Sequence, residues 1–170
     1  PTDSKVKIGK LANGLTYYIR KNVEPKNRAE LRLVVNAGST LETEKQRGLA
    51  HFVEHMCFNG TKNFKKQELV DFLEKSGVNF GADLNAYTGF DETVYMLPVP
   101  TDSIEVFKKG IQILEDWAHN ATLEPSEIDK ERGVVLEESR LGKGAQARMR
   151  DKYFPLILNN SQYAKRLPIG

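Results

Sequence analysis

The chain begins with apolar residues that alternate with polar ones, a pattern that predicts strands. Val6 and Ile8 alternate with lysines, and residues 15–19 are rich in strand-forming side chains. Asn13-Gly14 separates the two segments, and this pair is typical of a hairpin turn whose two central residues both have positive φ. A polar loop over residues 22–28 follows, and residues 31–35 predict a further strand.

The spacing of apolar residues becomes helical after the polar residues 42–48. A helix is predicted over residues 49–58, and Asn59-Gly60 is a typical stop for it. The predicted apolar face of this helix consists of Leu49, Phe52, Val53 and Met56. A second helix is predicted over residues 65–76, with Gly77 as its stop.

The rest of the chain predicts two more strands and then three helices. The strands cover residues 79–88 and 93–98, and the turn residues 89–91 join them. The first helix extends to residue 119, with Thr101 or Asp102 as its N-cap. Its predicted buried stripe consists of Ile104, Phe107, Ile111, Leu114 and Trp117.

Pro125 opens the next helix, because proline is tolerated in a first helical turn, and Gly142 ends it. A last helix is predicted over residues 149–158. Strands therefore come as neighbours, with helices between the hairpins. This order predicts an α+β fold with two layers, an antiparallel or mixed sheet with helices packed on one face. At 170 residues the chain has the length of a single domain.

Net charge, the length of apolar runs and the cysteine count exclude several classes of function. The formal net charge is only +2 and positive and negative residues interleave, which argues against a nucleic-acid partner. No apolar run approaches the ~20 residues of a membrane span. Cys57 is the only cysteine, so no intramolecular disulfide can form, and we expect it to be a small buried hydrophobe.

The segment with the most specific chemistry is His51-Phe52-Val53-Glu54-His55. Residues four apart on a helix lie nearly above one another, so His51 and His55 can present two imidazoles to one metal ion. Glu54 lies beside them, where it can accept a proton from the attacking water. A histidine pair with a glutamate between is far more specific than a lone histidine, and zinc suits these ligands.

A catalytic zinc usually takes three protein ligands and keeps one position open. The helix after Pro125 contains Glu131 and Glu138, which are seven residues apart and share one face. Glu137 is rotated away from that face. Spacing alone does not choose between Glu131 and Glu138 as the third ligand.

His-x-x-Glu-His is the inverzincin signature, and residues 48–61 around it resemble the pitrilysin/insulinase family of zinc peptidases. Three other segments are similar to that family. Asn36-Ala37-Gly38-Ser39 precedes the motif, Asn85-Ala86-Tyr87-Thr88 resembles the family's Asn-Ala-x-Thr strand, and residues 131–138 resemble its downstream glutamate segment, the last more loosely. The likeness covers residues 11–141, which is most of the chain.

The resemblance implies a role for each site residue. His51, His55 and Glu138 would bind one Zn²⁺, Glu54 would be the general base, and Glu131 would be a nearby carboxylate that supports the site. An edge strand containing Asn85, Ala86 and Tyr87 would pair with the backbone of an extended peptide substrate. The resemblance therefore implies a metallopeptidase that hydrolyses peptides or unstructured polypeptides.

The family resemblance also implies a larger protein. Family members have a second, related half that closes over the site, and this chain offers no convincing donor for the tetrahedral oxyanion. We therefore expect residues 1–170 to be an N-terminal zinc-peptidase domain of a longer chain, with little or no activity alone. The motif region most resembles the bacterial cell-envelope branch, which implies a periplasmic or envelope location.

Three alternatives to an active peptidase are open. S-ribosylhomocysteinase uses the same pentapeptide, but its third ligand is a downstream cysteine and Cys57 is misplaced for that role. A catalytically silent family member could bind peptides or act as a scaffold subunit, although such proteins usually lose the motif. A structural zinc site would favour four protein ligands, often cysteine.

Overall fold

The structure is a computed structural model that describes residues 3–75 and 85–170, without the side chains of Leu73 and Asn85. The strands are β1 (Val6–Lys10), β2 (Thr16–Arg20), β3 (Arg28–Val35), β4 (Asn85–Thr88) and β5 (Thr93–Pro100). The helices are α1 (Leu49–Cys57), α2 (Lys66–Lys75), α3 (Ile104–His119), α4 (Pro125–Leu141) and α5 (Ala145–Ile157). Short 3-10 helices lie at Ser39–Leu41, Glu44–Gln46 and Gln162–Ala164. Gly77 and the first part of the predicted strand 79–88 lie outside the described residues.

The first two strands form the predicted hairpin, but the predicted turn geometry is wrong. β1 pairs antiparallel with β2, and the Leu11 N–H donates to the Leu15 carbonyl at 2.8 Å beyond the last strand pair. The Gly14 N–H donates to the Leu11 carbonyl, and Gly14 has a φ of 92° while Asn13 is not left-handed. A longer loop of this kind needs only one left-handed residue, so the paired positive φ values are not required.

The second sheet carries the core and confirms the α+β class. Its strand order is β3-β5-β4, and within the described residues both sheets are entirely antiparallel. β3 alternates between partly buried and exposed positions, which is the period of a strand with one covered face. The covered face packs on α3, where the absence of a side chain at Gly110 brings the helix against Val99 and Leu31. The buried core cluster consists of Cys57, Phe64, Leu69, Tyr95, Leu97, Val99, Ile113 and Trp117.

Two predicted helix faces differ from the observed ones. In α1, Leu49 and Val53 are exposed, whereas Glu54 and Cys57 are buried. The spacing of apolar residues predicts which side of a helix is apolar, but not which neighbouring element packs against each side. In this structure the side of α1 that carries the histidines and Glu54 packs against the sheet and α4.

The predicted N-cap and buried stripe of α3 also need correction. Ser103, rather than Thr101 or Asp102, is its N-cap, and the Ser103 hydroxyl accepts from the Val106 N–H at 3.4 Å. Ile104 and Ile111 of the predicted stripe are exposed, whereas Trp117 is buried as predicted and Phe107 and Leu114 are partly buried against the core. The fully buried residues of α3 are Gly110, Ile113, Asp116 and Trp117.

A buried carboxylate in α3 fastens the loop that follows α1. Asp116 is fully buried and accepts hydrogen bonds from the Thr61 hydroxyl at 2.6 Å, the Asn63 amide at 2.7 Å and the Asn120 amide at 3.0 Å. Burial alone would raise the pKa of Asp116, but these hydrogen bonds outweigh it and lower the pKa below its usual value. The carboxylate therefore remains charged and joins the loop to the core.

We expect Asp116→Ala to lower the free energy of unfolding by about 3 kcal/mol, because it leaves several buried donors without an acceptor. Denaturant unfolding of the intact protein measures this, with the exposed Asp102→Ala as the control. Since the folded pKa is lowered, the stabilisation is present above the unfolded pKa and is lost as the pH falls through the folded value. Equal unfolding midpoints for the two variants would contradict the assignment.

Candidate metal centre

The helix that carries the histidines begins without a local side-chain cap. Gly48 is its N-cap with a φ of 83°, a conformation that glycine adopts without strain. The Glu42 carboxylate accepts from the N–H groups of Gly48 at 2.9 Å and Ala50 at 2.8 Å. A negative charge at this helix end satisfies free N–H groups and suits the helix dipole. Glu42 therefore fixes the start of α1 from outside the motif.

The structure brings His51, His55 and Glu138 together, as the resemblance implied. The Nε2 atoms of His51 and His55 lie 3.3 Å apart. The Glu138 Oε2 atom lies 3.6 Å from His51 Nε2 and 3.4 Å from His55 Nε2. Two helices supply these groups, since α1 carries the histidines and α4 carries the carboxylate.

This donor set fits a zinc ion. Two ligands held at ~2.0–2.1 Å by a tetrahedral ion are roughly 3.3 Å apart, close to the observed separations. His55 Nδ1 lies 2.8 Å from a Glu131 oxygen, and since a carboxylate only accepts, Nδ1 is the donor in this contact. In the neutral ring Nε2 is then the nitrogen that can bind a metal. Two imidazoles and one carboxylate are also the ligand types of catalytic zinc sites with an open position.

The other glutamates of α4 have different surroundings. Glu131 is buried, and its second oxygen accepts from the Asn59 amide at 2.7 Å. Glu137 is exposed and pairs with Arg140 at 2.6 Å, and the hydrogen bond from Arg140 lowers its pKa. Glu131 thus contacts the outer nitrogen of His55, while Glu138 faces the inner ones, a distinction that spacing alone could not make.

Glu54 lies on the buried side of α1, next to β4. The residue is 7% exposed, and its Oε2 atom accepts from the Thr88 hydroxyl at 2.6 Å. The neighbouring hydroxyl of Thr93 donates instead to the Ala37 carbonyl at 2.8 Å. Thr88 therefore orients the Glu54 carboxylate from the adjacent strand.

His51, His55 and Glu138 open onto a cleft of about 530 Å³ with β4 along one side. β4 pairs with β5 and is an edge strand of the described sheet, as the resemblance implied. Tyr87 is 46% exposed on this strand. The cleft is lined by His51, Glu54, His55, Ala86, Tyr87, Thr88, Glu138, Pro168 and Ile169.

Sequence reasoning missed several residues around the cleft. Thr88 and Asn59 lie in segments that carry the family resemblance, but their partners are distant in sequence, so no local pattern indicated the contacts. Pro168 and Ile169 reach the cleft because Arg166 is buried against the Glu42 carbonyl at 3.0 Å and Glu44 at 2.8 Å.

Cys57 follows the motif but takes no part in the cleft. Its side chain is buried in the core, where its sulfur lies 3.4 Å from the Tyr95 hydroxyl. Burial raises the pKa of the thiol, against a smaller lowering by the Tyr95 hydrogen bond. The prediction of a small buried hydrophobe is confirmed.

Comparison with known proteins finds relatives named as zinc proteases, in agreement with the ligand types of this site. Residues 17–161 match the insulinase family, peptidase family M16. The chain is 45% identical over 162 residues to "Zinc protease PQQL-like" of Arabidopsis thaliana, covering 95% of this chain and 17% of the relative. It is 41% identical over 170 residues to "Probable zinc protease PqqL" of Haemophilus influenzae, covering 100% of this chain and 18% of the relative.

A solved structure of a protease also matches this chain over its full length. The first half of the periplasmic protease PqqL from Escherichia coli matches with a TM-score of 0.95 and 40% identity, over 100% of this chain and 36% of that one. The protein belongs to the insulinase family of zinc peptidases. It resembles the N-terminal part of PqqL, and it spans less than a fifth of the two curated relatives.

Membership of the insulinase family excludes the alternative that the chain is an S-ribosylhomocysteinase.

Among the described residues, no helix has both the length and the apolar character needed to cross a bilayer.

Proposed function

We propose that this protein is the metal-bearing part of a zinc-dependent endopeptidase that hydrolyses peptides or unstructured polypeptides. The observation that carries the proposal is the convergence of His51, His55 and Glu138 beside the buried carboxylate of Glu54, in one cleft bordered by an edge strand. Family membership supports the same reaction class.

His51, His55 and Glu138 would hold one Zn²⁺. When bound, zinc acts as a Lewis acid that polarises the scissile carbonyl and lowers the pKa of water. Glu131 would hold the His55 ring in the tautomer whose Nε2 can act as a ligand, because it accepts the Nδ1 proton.

Glu54 would carry the proton through the reaction. Its carboxylate would accept a proton from the attacking water as the carbon–oxygen bond forms, and would return it to the amine as the carbon–nitrogen bond breaks. The Thr88 hydroxyl occupies Oε2 of Glu54 and leaves Oε1 for this exchange. The short loop that joins β4 to β5 holds Thr88 close to β5 and supports this orientation.

Substrate would bind along β4 as an added strand. Asn85, Ala86 and Tyr87 would offer main-chain groups to an extended peptide, and this mode needs a substrate segment without its own secondary structure. Strand pairing of this kind recognises the main chain of the peptide, so unstructured chains of varied sequence would be accepted. Tyr87 would pack on a substrate side chain next to the cleft.

Further parts of the intact protein would complete the site. A second homologous half would close over the cleft and supply donors to the tetrahedral oxyanion. The solved neighbours that include a whole PqqL and its first half support such an arrangement. The same neighbours are periplasmic proteases and support a periplasmic or cell-envelope location.

The direct test is hydrolysis of an unstructured, end-blocked peptide by the intact protein. We expect internal cleavage that stops on removal of metal by a chelator and returns with one equivalent of Zn²⁺. Mass spectrometry of the products measures it. A zinc-loaded protein that cleaves no such peptide but binds it would instead favour the silent, peptide-binding alternative.

We expect Thr88→Val to reduce kcat about tenfold, because Glu54 loses a hydrogen bond that is charge-assisted. KM and zinc content should change little, since neither the metal ligands nor the β4 backbone is altered. The matched control is Thr122→Val, which removes a hydroxyl that donates to the Gly60 carbonyl at 3.1 Å rather than to a residue of the cleft. Equal kcat values for the two variants would contradict a role for Thr88.

A further inference from the structure

Asn59 occupies a position between the two helices of the metal centre. It follows the C-terminal end of α1, and the residue is 7% exposed. The side-chain nitrogen donates to Glu131 Oε2 at 2.7 Å and to the His55 carbonyl at 3.2 Å. Both partners accept hydrogen bonds only, so their chemistry dictates that the amide nitrogen, rather than its oxygen, faces them.

These contacts occupy the whole Glu131 carboxylate. One oxygen contacts His55 Nδ1 at 2.8 Å and the other receives the Asn59 amide. A carboxylate held at both oxygens cannot rotate without losing a hydrogen bond. The same amide is also tied to the backbone of the residue whose ring Glu131 holds.

Asn59 is itself held from two sides. Its backbone N–H donates to the Met56 carbonyl at 3.0 Å, which continues the last turn of α1. Two residues further on, the Thr61 hydroxyl donates to the buried Asp116 carboxylate at 2.6 Å. The amide is therefore placed by the core and does not depend on a flexible segment.

We infer that Asn59 is a positioning residue of the metal centre, one that fixes the Glu131 carboxylate and through it the ring of His55. This inference rests on the proposed function, because it concerns the same site. An amide suits the position, since it donates to Glu131 without adding charge. An aspartate of the same shape would place a second carboxylate against the first.

The test compares three variants of the intact protein: Asn59→Ala, Asn59→Asp and, as a matched control, Asn63→Ala. Asn63 lies in the same loop and also donates to a carboxylate, but its partner is Asp116 in the core. Zinc affinity is measured by competition with a chromophoric chelator. The visible spectrum of the Co²⁺-substituted protein reports the ligand geometry independently of hydrolysis.

We expect Asn59→Ala to weaken zinc binding by about tenfold, within the range for residues that orient metal ligands. Asn59→Asp should weaken it further, and both should alter the cobalt spectrum. Asn63→Ala should leave affinity and spectrum as in the unsubstituted protein. A role in packing alone predicts the opposite order, with the isosteric aspartate milder than alanine, and that order would overturn the inference.

A double-mutant cycle with Glu131→Ala separates an effect that acts through Glu131 from a general loss of structure. If Asn59 acts through Glu131, Asn59→Ala costs no further zinc affinity once Glu131 is removed. Additive losses in a protein that binds zinc would overturn this inference alone. Failure of the unsubstituted protein to bind zinc would overturn the proposed function as well.

Discussion

Glu54→Gln in the intact protein is expected to reduce peptide hydrolysis by roughly 10³-fold, within the range for loss of a positioned general base. Glutamine keeps the shape of the side chain and can still accept from Thr88, so the fold and the cleft should persist. Zinc should remain bound, because the proposed ligands are His51, His55 and Glu138 and not Glu54. The variant therefore separates proton transfer from metal binding.

The measurement pairs turnover of an unstructured peptide with elemental analysis of the same preparation. Glu137→Gln serves as the control, since Glu137 is exposed and pairs with Arg140 away from the cleft. Near-normal turnover by Glu54→Gln would remove Glu54 from its proposed role. Loss of zinc from this variant would show that the Glu54 carboxylate contributes to metal binding rather than to proton transfer.

Glu138→Ala is expected to lose zinc, with an affinity drop greater than the ~10–100-fold typical of residues that only support a ligand. Two imidazoles on one helix turn would remain, and they leave the ion short of the three protein ligands of a catalytic site. Hydrolysis should be lost together with the metal. Added Zn²⁺ at high concentration should restore little activity, because removal of the Glu138 carboxylate also changes the charge at the site.

Glu137→Ala is the matched control for this second prediction. It removes a carboxylate from the adjacent position of α4, but one that lies in an exposed ion pair with Arg140. We expect its zinc content to equal that of the unsubstituted protein. Equal zinc content in the two variants would refute Glu138 as the third ligand, and a selective loss in Glu131→Ala would transfer that role to Glu131.

Local sequence features predicted most of the secondary structure of the described residues. Helix α4 begins at Pro125 and the first hairpin has its turn at Asn13-Gly14, because proline and glycine act through their own backbone preferences. The start of α3 was misplaced, since several polar residues in succession can cap a helix and only the packing selected Ser103.

Burial was predicted less well than secondary structure. Leu49 and Ile111 follow the apolar spacing of their helices and are nevertheless exposed, while Glu54 and Asp116 are buried. Hydrophobic spacing assumes that polar residues face water. A buried carboxylate violates that assumption wherever distant donors such as Thr88 or Thr61 satisfy it.

The local order of residues was enough to place two imidazoles and an adjacent carboxylate together, because a helix puts residues four apart on one face whatever surrounds it. The packing of α4 against α1 was needed to show that Glu138 faces His51 and His55 and that Glu131 contacts the outer nitrogen of His55. The tertiary structure also brought Thr88 to Glu54 and Asn59 to Glu131. These contacts join residues far apart in the chain, and their geometry depends on how the helices and the sheet pack.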